Sequence, residues 1–310
     1  MHRYIFKRLL SMIVIVICAG IVVYTLMYLA PGDPARNQLG QGVSEEVLQA
    51  KRHELGIDRG YLEQLGDFLV DTFLHFDLGT SWQFGESVAS GLKVRLPRTL
   101  MIGIPSMILS VVIGTLLGIY AATHEGRWQD SLTMVVTMVL VSAPDFWVAL
   151  MLILLFAAKL RLLPAFGIES LASYVLPIVC SALPVIAVNA RQARSSMLEV
   201  IRADFVTTAR SKGQKSKVVV RKHMFPNAMM PIITGVAGGM TKIVAGSPVI
   251  ESVFAIPGVG AYLLTGVNYR DRPVVCGCVV FFALFTSIIV LLMDLCYAYL
   301  DPRIKAQYSK

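Results

Sequence analysis

The sequence predicts an all-α integral membrane protein with six transmembrane helices and both termini on the cytoplasmic side. Of 310 residues, 55% are hydrophobic and only 15% are charged, whereas soluble domains carry about 25% charged residues. The mean hydropathy is +0.66. Apolar residues are also clumped into long uncharged runs, not spread at the period of a soluble core.

A spanning helix needs about 20 mostly apolar residues. Residues 9–30 give 22 without a charge, residues 99–123 give 25, and residues 131–158 give 28 interrupted only by Asp145. Residues 170–190 give 21. The fifth run, 223–241, continues past Lys242 to Ile250, and the sixth, 273–293, continues past Asp294 to Leu300. Arg3, Lys7 and Arg8 give the first run a basic start like a signal peptide's. It exceeds the roughly 7–15 apolar residues of a signal core, and Pro31 follows the only small-residue cleavage point, so it reads as an uncleaved anchor.

Charge sets the direction. With the N-terminus inside, the cytoplasmic segments hold 16 Lys and Arg against 11 outside, with Lys242 within a span. Seven of those 11 fall in one long segment, which counts for little in the positive-inside rule. That outside segment, residues 31–98, carries 10 acidic and 7 basic side chains. Ser44 stands at a helix N-cap, Glu45 and Glu46 favour the helix start, and Gly56 stops it. A second amphipathic stretch runs from Tyr61 to about His75.

Residues 191–222 are cytoplasmic, with nine basic residues opposed only by Glu199 and Asp204. A basic tract lying on anionic headgroups is the plainest account. The pattern is more specific: Met197, Leu198, Ile201, Phe205 and Ala209 recur at helical spacing beside Arg202, Thr208 and Arg210. Gly213 then ends the helix, and Pro226 follows near the start of the fifth span. A short helix of this kind fits a groove on a partner. The chain has no Walker-type phosphate loop.

In this loop and in three other segments the sequence resembles bacterial ABC-importer permeases of the dipeptide, oligopeptide and nickel branch. The family's signature is Glu-Ala-Ala, three residues, Gly, nine residues, Ile-x-Leu-Pro. Anchored on Gly213, its first three positions fall on Thr207, Thr208 and Ala209, and its last on Pro226; Thr207 departs from Glu. Asp204-Phe205-Val206-x-Thr208-Ala209-Arg210-x-Lys212-Gly213 is similar to the wording of the peptide branch. The other segments are Tyr4 to Leu10 with Pro31-Gly32-Asp33-Pro34, Phe76 to Ser81, and a C-terminal series. That series comprises Glu251 to Gly260, Arg270 to Val275 and Asp301 to Ile304.

The resemblance implies a type I ABC-importer permease fold and a transport role, with residues 191–224 as the ATPase-coupling loop. It also implies a second homologous permease, two ABC ATPase subunits that bind the ATP, and an extracytoplasmic substrate-binding protein. Membrane lipid is a further partner, and neither nucleic acid nor a cofactor on this chain is expected. The expected organisation is residues 1–30 as cytoplasmic start and first span, 31–98 as an extracytoplasmic helical loop, 99–300 as the permease core and 301–310 as a cytoplasmic tail. The core's spans fall near 99–123, 131–158, 170–190, 225–250 and 273–300.

Charges inside spans are costly and mark a function or a partner. Asp145, beside the helix-kinking Pro144, and Lys242 are candidates for lining the pathway, for neutralising one another or for meeting a second subunit. Gly114-x-x-x-Gly118 and Gly235-x-x-x-Gly239 permit close helix approach within the chain or between subunits. Pro257-Gly258 and Gly260 fit a tight outside turn or a short re-entrant piece.

Enzymatic readings find no support. There is no His-Glu-x-x-His or Gly-x-Ser-x-Gly, and the five histidines are scattered over loops and span ends. No catalytic or metal-ligating set emerges, and the five cysteines read as small apolar residues. An ion-coupled transporter working without an ATPase would use Asp145 and Lys242 as a relay and show internal repeats; none is visible.

Overall fold

The computed structural model describes residues 2–40, 42–229 and 246–300. The middle of the fifth expected span, with Lys242, Gly235 and Gly239, and the tail 301–310 lie outside the described residues. Among the described residues the secondary structure is helical, apart from an isolated bridge between Thr80 and Ser87. Among the described residues four helices are long and apolar enough to cross a membrane: Arg8–Leu29, Val88–Thr123, Leu171–Ile201 and Arg272–Leu292. A fifth span is counted if the bent pair Trp128–Ser142 and Asp145–Lys159 forms one crossing.

The chain divides into two compact units. The first comprises residues 1–97 and 257–310. Here α1 (His2–Leu29) packs along α13 (Arg272–Leu300). The short helix α2 (Pro34–Leu39) starts as Asp33 accepts a hydrogen bond from the Ala35 amide at 3.0 Å. The same carboxylate meets Arg52 Nη2 at 2.6 Å, tying α2 to α3 (Glu45–Glu54). Ser44 does precede α3, but its side chain makes no capping bond; its carbonyl accepts from Leu48 N instead. Gly56 follows the end of α3, its amide donating to the His53 carbonyl.

Helix α4 (Tyr61–Phe73) rests on α1 through Tyr24 and Phe68, whose ring centroids are 4.9 Å apart. Three of the segments that carry the family resemblance, Pro31 to Pro34, Phe76 to Ser81 and Arg270 to Val275, meet in this unit. Asp271 is buried and accepts from Ser81 Oγ at 2.5 Å and from the Gln83 amide at 2.9 Å. Arg270 lies against Gly32.

Helix α5 (Val88–Thr123) begins well before residue 99, where the apolar run starts. Charge ends the run but not the helix, because the charge has partners. Arg95 pairs with Glu86 at 2.8 Å and stacks 4.0 Å over the Tyr262 ring. Tyr262 belongs to α12 (Val259–Tyr269), an 11-residue helix where the sequence suggested only a turn or re-entrant piece. Val88, Leu92, Val259, Tyr262, Val274 and Cys278 form the core, and burial raises the Tyr262 phenol above its ordinary range.

The second unit, residues 98–256, is organised by α5 and α8 (Val175–Ile201) and also holds the short helices α10 (Ser216–Val218) and α11 (Pro248–Val253). Ser106, Ser110, Gly114 and Gly118 recur every four residues of α5 and so share one face. Ser106 Oγ donates to Ile178 O and Ser110 Oγ to Ala182 O, both at 3.1 Å. A Cβ on Gly114 would lie 2.7 Å from the Asn189 Cβ, and one on Gly118 would lie 2.5 Å from the Ala190 carbonyl oxygen. The first small-residue pair therefore serves packing within the chain.

The third expected span is not one straight helix. Helix α6 (Trp128–Ser142) stops, and α7 (Asp145–Leu152) leaves at 103° before relaxing into a π-helical turn, Ile153–Lys159. Pro144 lacks an amide proton and pushes Ala143 into extended backbone, with ψ 131°. Helix α8 likewise overruns its expected end near residue 190 and reaches Ile201 without a break.

Candidate functional site: the helix Asp204–Ser211 and its mount

The apolar stretch from Met197 to Ala209 belongs to two helices, not one. After α8 ends at Ile201 the chain turns through Arg202 and Ala203, then forms α9 (Asp204–Ser211). Asp204 stands in the first turn, where a carboxylate complements the helix dipole. Thr208 Oγ1 donates back to Asp204 O and Ser211 Oγ to Thr207 O, each at 3.0 Å. Gly213 closes the helix with φ +73°, its amide donating to Arg210 O at 2.9 Å. A Cβ there would meet nothing within 4 Å. Glycine is needed for the left-handed backbone, not for space.

The break resets the helical phase and corrects the expected apolar stripe. Phe205 is 43% exposed, whereas Val206, absent from that stripe, is completely buried. Val206 and Ala209 pack with Ala122, Met197, Val219, Met224 and Ala228. Asp204, Phe205, Thr207, Thr208, Arg210, Lys212 and Gly213 are exposed together, with Ala209 on the buried face. Pro226 is exposed too, in the helical stretch 225–229 beyond a π-helical turn, Val219–Met224.

The mount of α9 rests on two ion pairs that sequence reasoning missed. Arg194 of α8 grips Asp130 of α6 through both carboxylate oxygens, and Asp130 also accepts from the Gly126 amide at 3.3 Å. Asp130 is 5% exposed. Arg202 reaches Glu125 at 2.9 Å on the surface. The pairs span 64 and 77 residues, so no local spacing announces them.

Asp145 is exposed at the first turn of α7, next to the bend. Residues on either side of that bend line an apolar cleft of about 550 Å³: Met138, Val139, Ser142, Ala143, Pro144, Phe146 and Trp147. Pairing of Asp145 with Lys242 concerns a residue outside the described ones.

Comparison with known proteins agrees with this architecture. Residues 114–306 match the family described as binding-protein-dependent transport system inner membrane component. Residues 1–103 match the N-terminal model of such membrane components. A putative peptide transport system permease protein of Brucella abortus is 36% identical, covering 98% of this chain and 99% of its own. The dipeptide transport system permease protein of Alkalihalophilus pseudofirmus is 34% identical, covering 98% and 100%. The glutathione transport system permease protein of Escherichia coli K12 is 34% identical, covering 98% and 99%. The chain is a multi-pass protein of the bacterial inner membrane and a permease component, not an enzyme. It belongs to the binding-protein-dependent ABC-importer permeases of the dipeptide, oligopeptide and nickel branch.

Proposed function

We propose that this chain forms half of the translocation pathway of an ATP-driven importer for peptides or related small solutes. Its partners are a second homologous permease, two ABC ATPase subunits that bind the ATP, and an extracytoplasmic binding protein. In this reading six helices cross the membrane in the type I importer arrangement, with both termini cytoplasmic and residues 31–98 receiving the binding protein. Peptides are the solute class because relatives over nearly the full length are named as peptide, dipeptide and glutathione permeases.

The observation that carries the reading is α9. It buries Val206 and Ala209 against its own chain while Phe205, Thr208 and Arg210 stay exposed. An eight-residue helix with a half-exposed aromatic ring suits an ATPase groove. Closure of the ATPase pair on ATP would displace α9. Because α9 is mounted on the unbroken α8, that displacement would bias the spans between two states. Asp145, at the bend of the third span, is the candidate for lining the pathway, and Lys242 its candidate counter-charge.

Gly213→Pro tests this. Proline cannot adopt φ +73° and has no amide to donate to Arg210 O. The variant is expected to reach the membrane normally yet lose transport-coupled ATP hydrolysis in the assembled complex. Normal coupled hydrolysis would refute the assignment, as would uphill transport by the purified chain alone, the behaviour of an ion-coupled carrier.

A further inference from the structure

Arg272, the first residue of α13, is held in a way that its place in the fold does not explain. A guanidinium carries five N–H donors. Among the described residues Arg272 makes one hydrogen bond, Nη2 to Gln64 Oε1 at 2.8 Å, and no ion pair. Its charge lies 4.7 Å from the Tyr24 ring centroid and 5.1 Å from that of Trp82. Two aromatic faces offset part of the cost of withdrawing a cation from water but satisfy none of its remaining donors.

Arg272 also lines a cavity of about 150 Å³ within the first unit, bounded by Tyr24, Arg59, Gln64, Phe68 and Trp82 among others. The other charges on its walls are already engaged. Arg59 pairs with Asp67 at 2.6 Å, Asp71 lies 3.2 Å from His75, and Asp77 accepts from the Gly79 amide at 2.9 Å. Of the two cations on these walls, Arg59 has a carboxylate partner and Arg272 has none, and Arg272 has donors to spend. A planar fork of N–H groups matches two oxygens of an oxyanion. An engineered cavity of this size in another protein takes up a six-atom ring, so the space suits a phosphate group and not a peptide.

We propose that Arg272 and Gln64, between the Tyr24 and Trp82 rings, form a binding site for one phosphate oxyanion. The phosphate comes from a lipid headgroup or from a free small molecule. Trp82 provides the readout. With Trp128→Phe and Trp147→Phe it is the single tryptophan of the three in the chain. The full chain in lipid-free detergent at constant ionic strength is titrated with inorganic phosphate and, separately, with short-chain phosphatidylglycerol.

A saturable change in Trp82 emission with inorganic phosphate establishes a free-anion site. A change confined to phosphatidylglycerol establishes a headgroup site. Arg272→Lys keeps the charge without the fork and is expected to weaken the response at least tenfold. Gln64→Glu places a carboxylate on the guanidinium and should abolish it. No change with either probe, or equal affinity in a folded Arg272→Lys chain, overturns the proposal. Should Arg272→Lys fail to fold, an undiminished response in Gln64→Glu overturns it as well.

Discussion

Arg194 holds Asp130 with both prongs of its guanidinium, Nε to Oδ1 at 2.5 Å and Nη2 to Oδ2 at 2.7 Å, so the start of α6 is fastened to α8. Asp130 is nearly buried, which makes removal of either partner costlier than the loss of a surface pair. Asp130→Ala is expected to destabilise the second unit by about 2–3 kcal/mol, and Arg194→Lys by less, since a cation remains. Unfolding in a mild detergent and denaturant series would measure both. Equal, negligible losses would reduce the contact to a surface bridge.

The α5–α8 seam should respond very differently to two substitutions eight residues apart on the same face. Ser110→Ala removes one interhelical hydrogen bond, to Ala182 O, at about 0.6–1 kcal/mol. Gly118→Leu drives a side chain into a site where even a Cβ would lie 2.5 Å from the Ala190 oxygen and the Ala193 Cβ. That should cost at least about 3 kcal/mol and lower the amount of protein in the membrane. Quantitative blotting of membrane fractions separates the two outcomes.

At Gly213 the penalty should come from backbone conformation alone. Since a Cβ would meet nothing there, Gly213→Ala is expected to cost about 1 kcal/mol and Gly213→Asn less, because Asn tolerates left-handed backbone. Hydrogen exchange at the end of α9 would report the order. A loss that grew with side-chain volume instead of backbone preference would contradict it.

His53 Nδ1 lies 2.7 Å from Asp58 Oδ2 at the turn between α3 and α4. The hydrogen bond from His53 holds the Asp58 carboxyl below its usual range. A depressed carboxyl contributes stability that is present above its unfolded pKa and lost as pH falls through the lower native value. The turn should therefore hold at neutral pH and loosen only below about pH 4. His53→Ala should move the Asp58 titration, followed by NMR of its carboxyl carbon, back up.

Sequence and structure agree where one physical effect dominates. The long apolar runs behind α1, α5, α8 and α13 have no soluble alternative, and Pro144 and Gly213 impose their backbone effects wherever the chain takes them. Helix ends were harder to place. Apolar runs stop at the first charge, whereas helices stop where their amides run out of partners. So α5 starts early at Val88, with Arg95 paired, and α8 runs on to Ile201. Val206 was invisible because the turn at Arg202 and Ala203 resets the helical phase and no distinctive residue marks it. Asp130 and Arg194 meet only after two helices pack, a relation that no reading of neighbours supplies.

The bond from Ser81 to Asp271 joins residues 190 positions apart in one compact unit. A ribosome that has made the first 256 residues has therefore delivered only the opening portion of that unit. Ser81, the Gln83 amide and Val88 must wait, through insertion of everything between, for the last stretch of nascent chain. Premature termination after the second unit would leave the beginning of the protein as a target for quality-control proteases, though every residue of that beginning is intact.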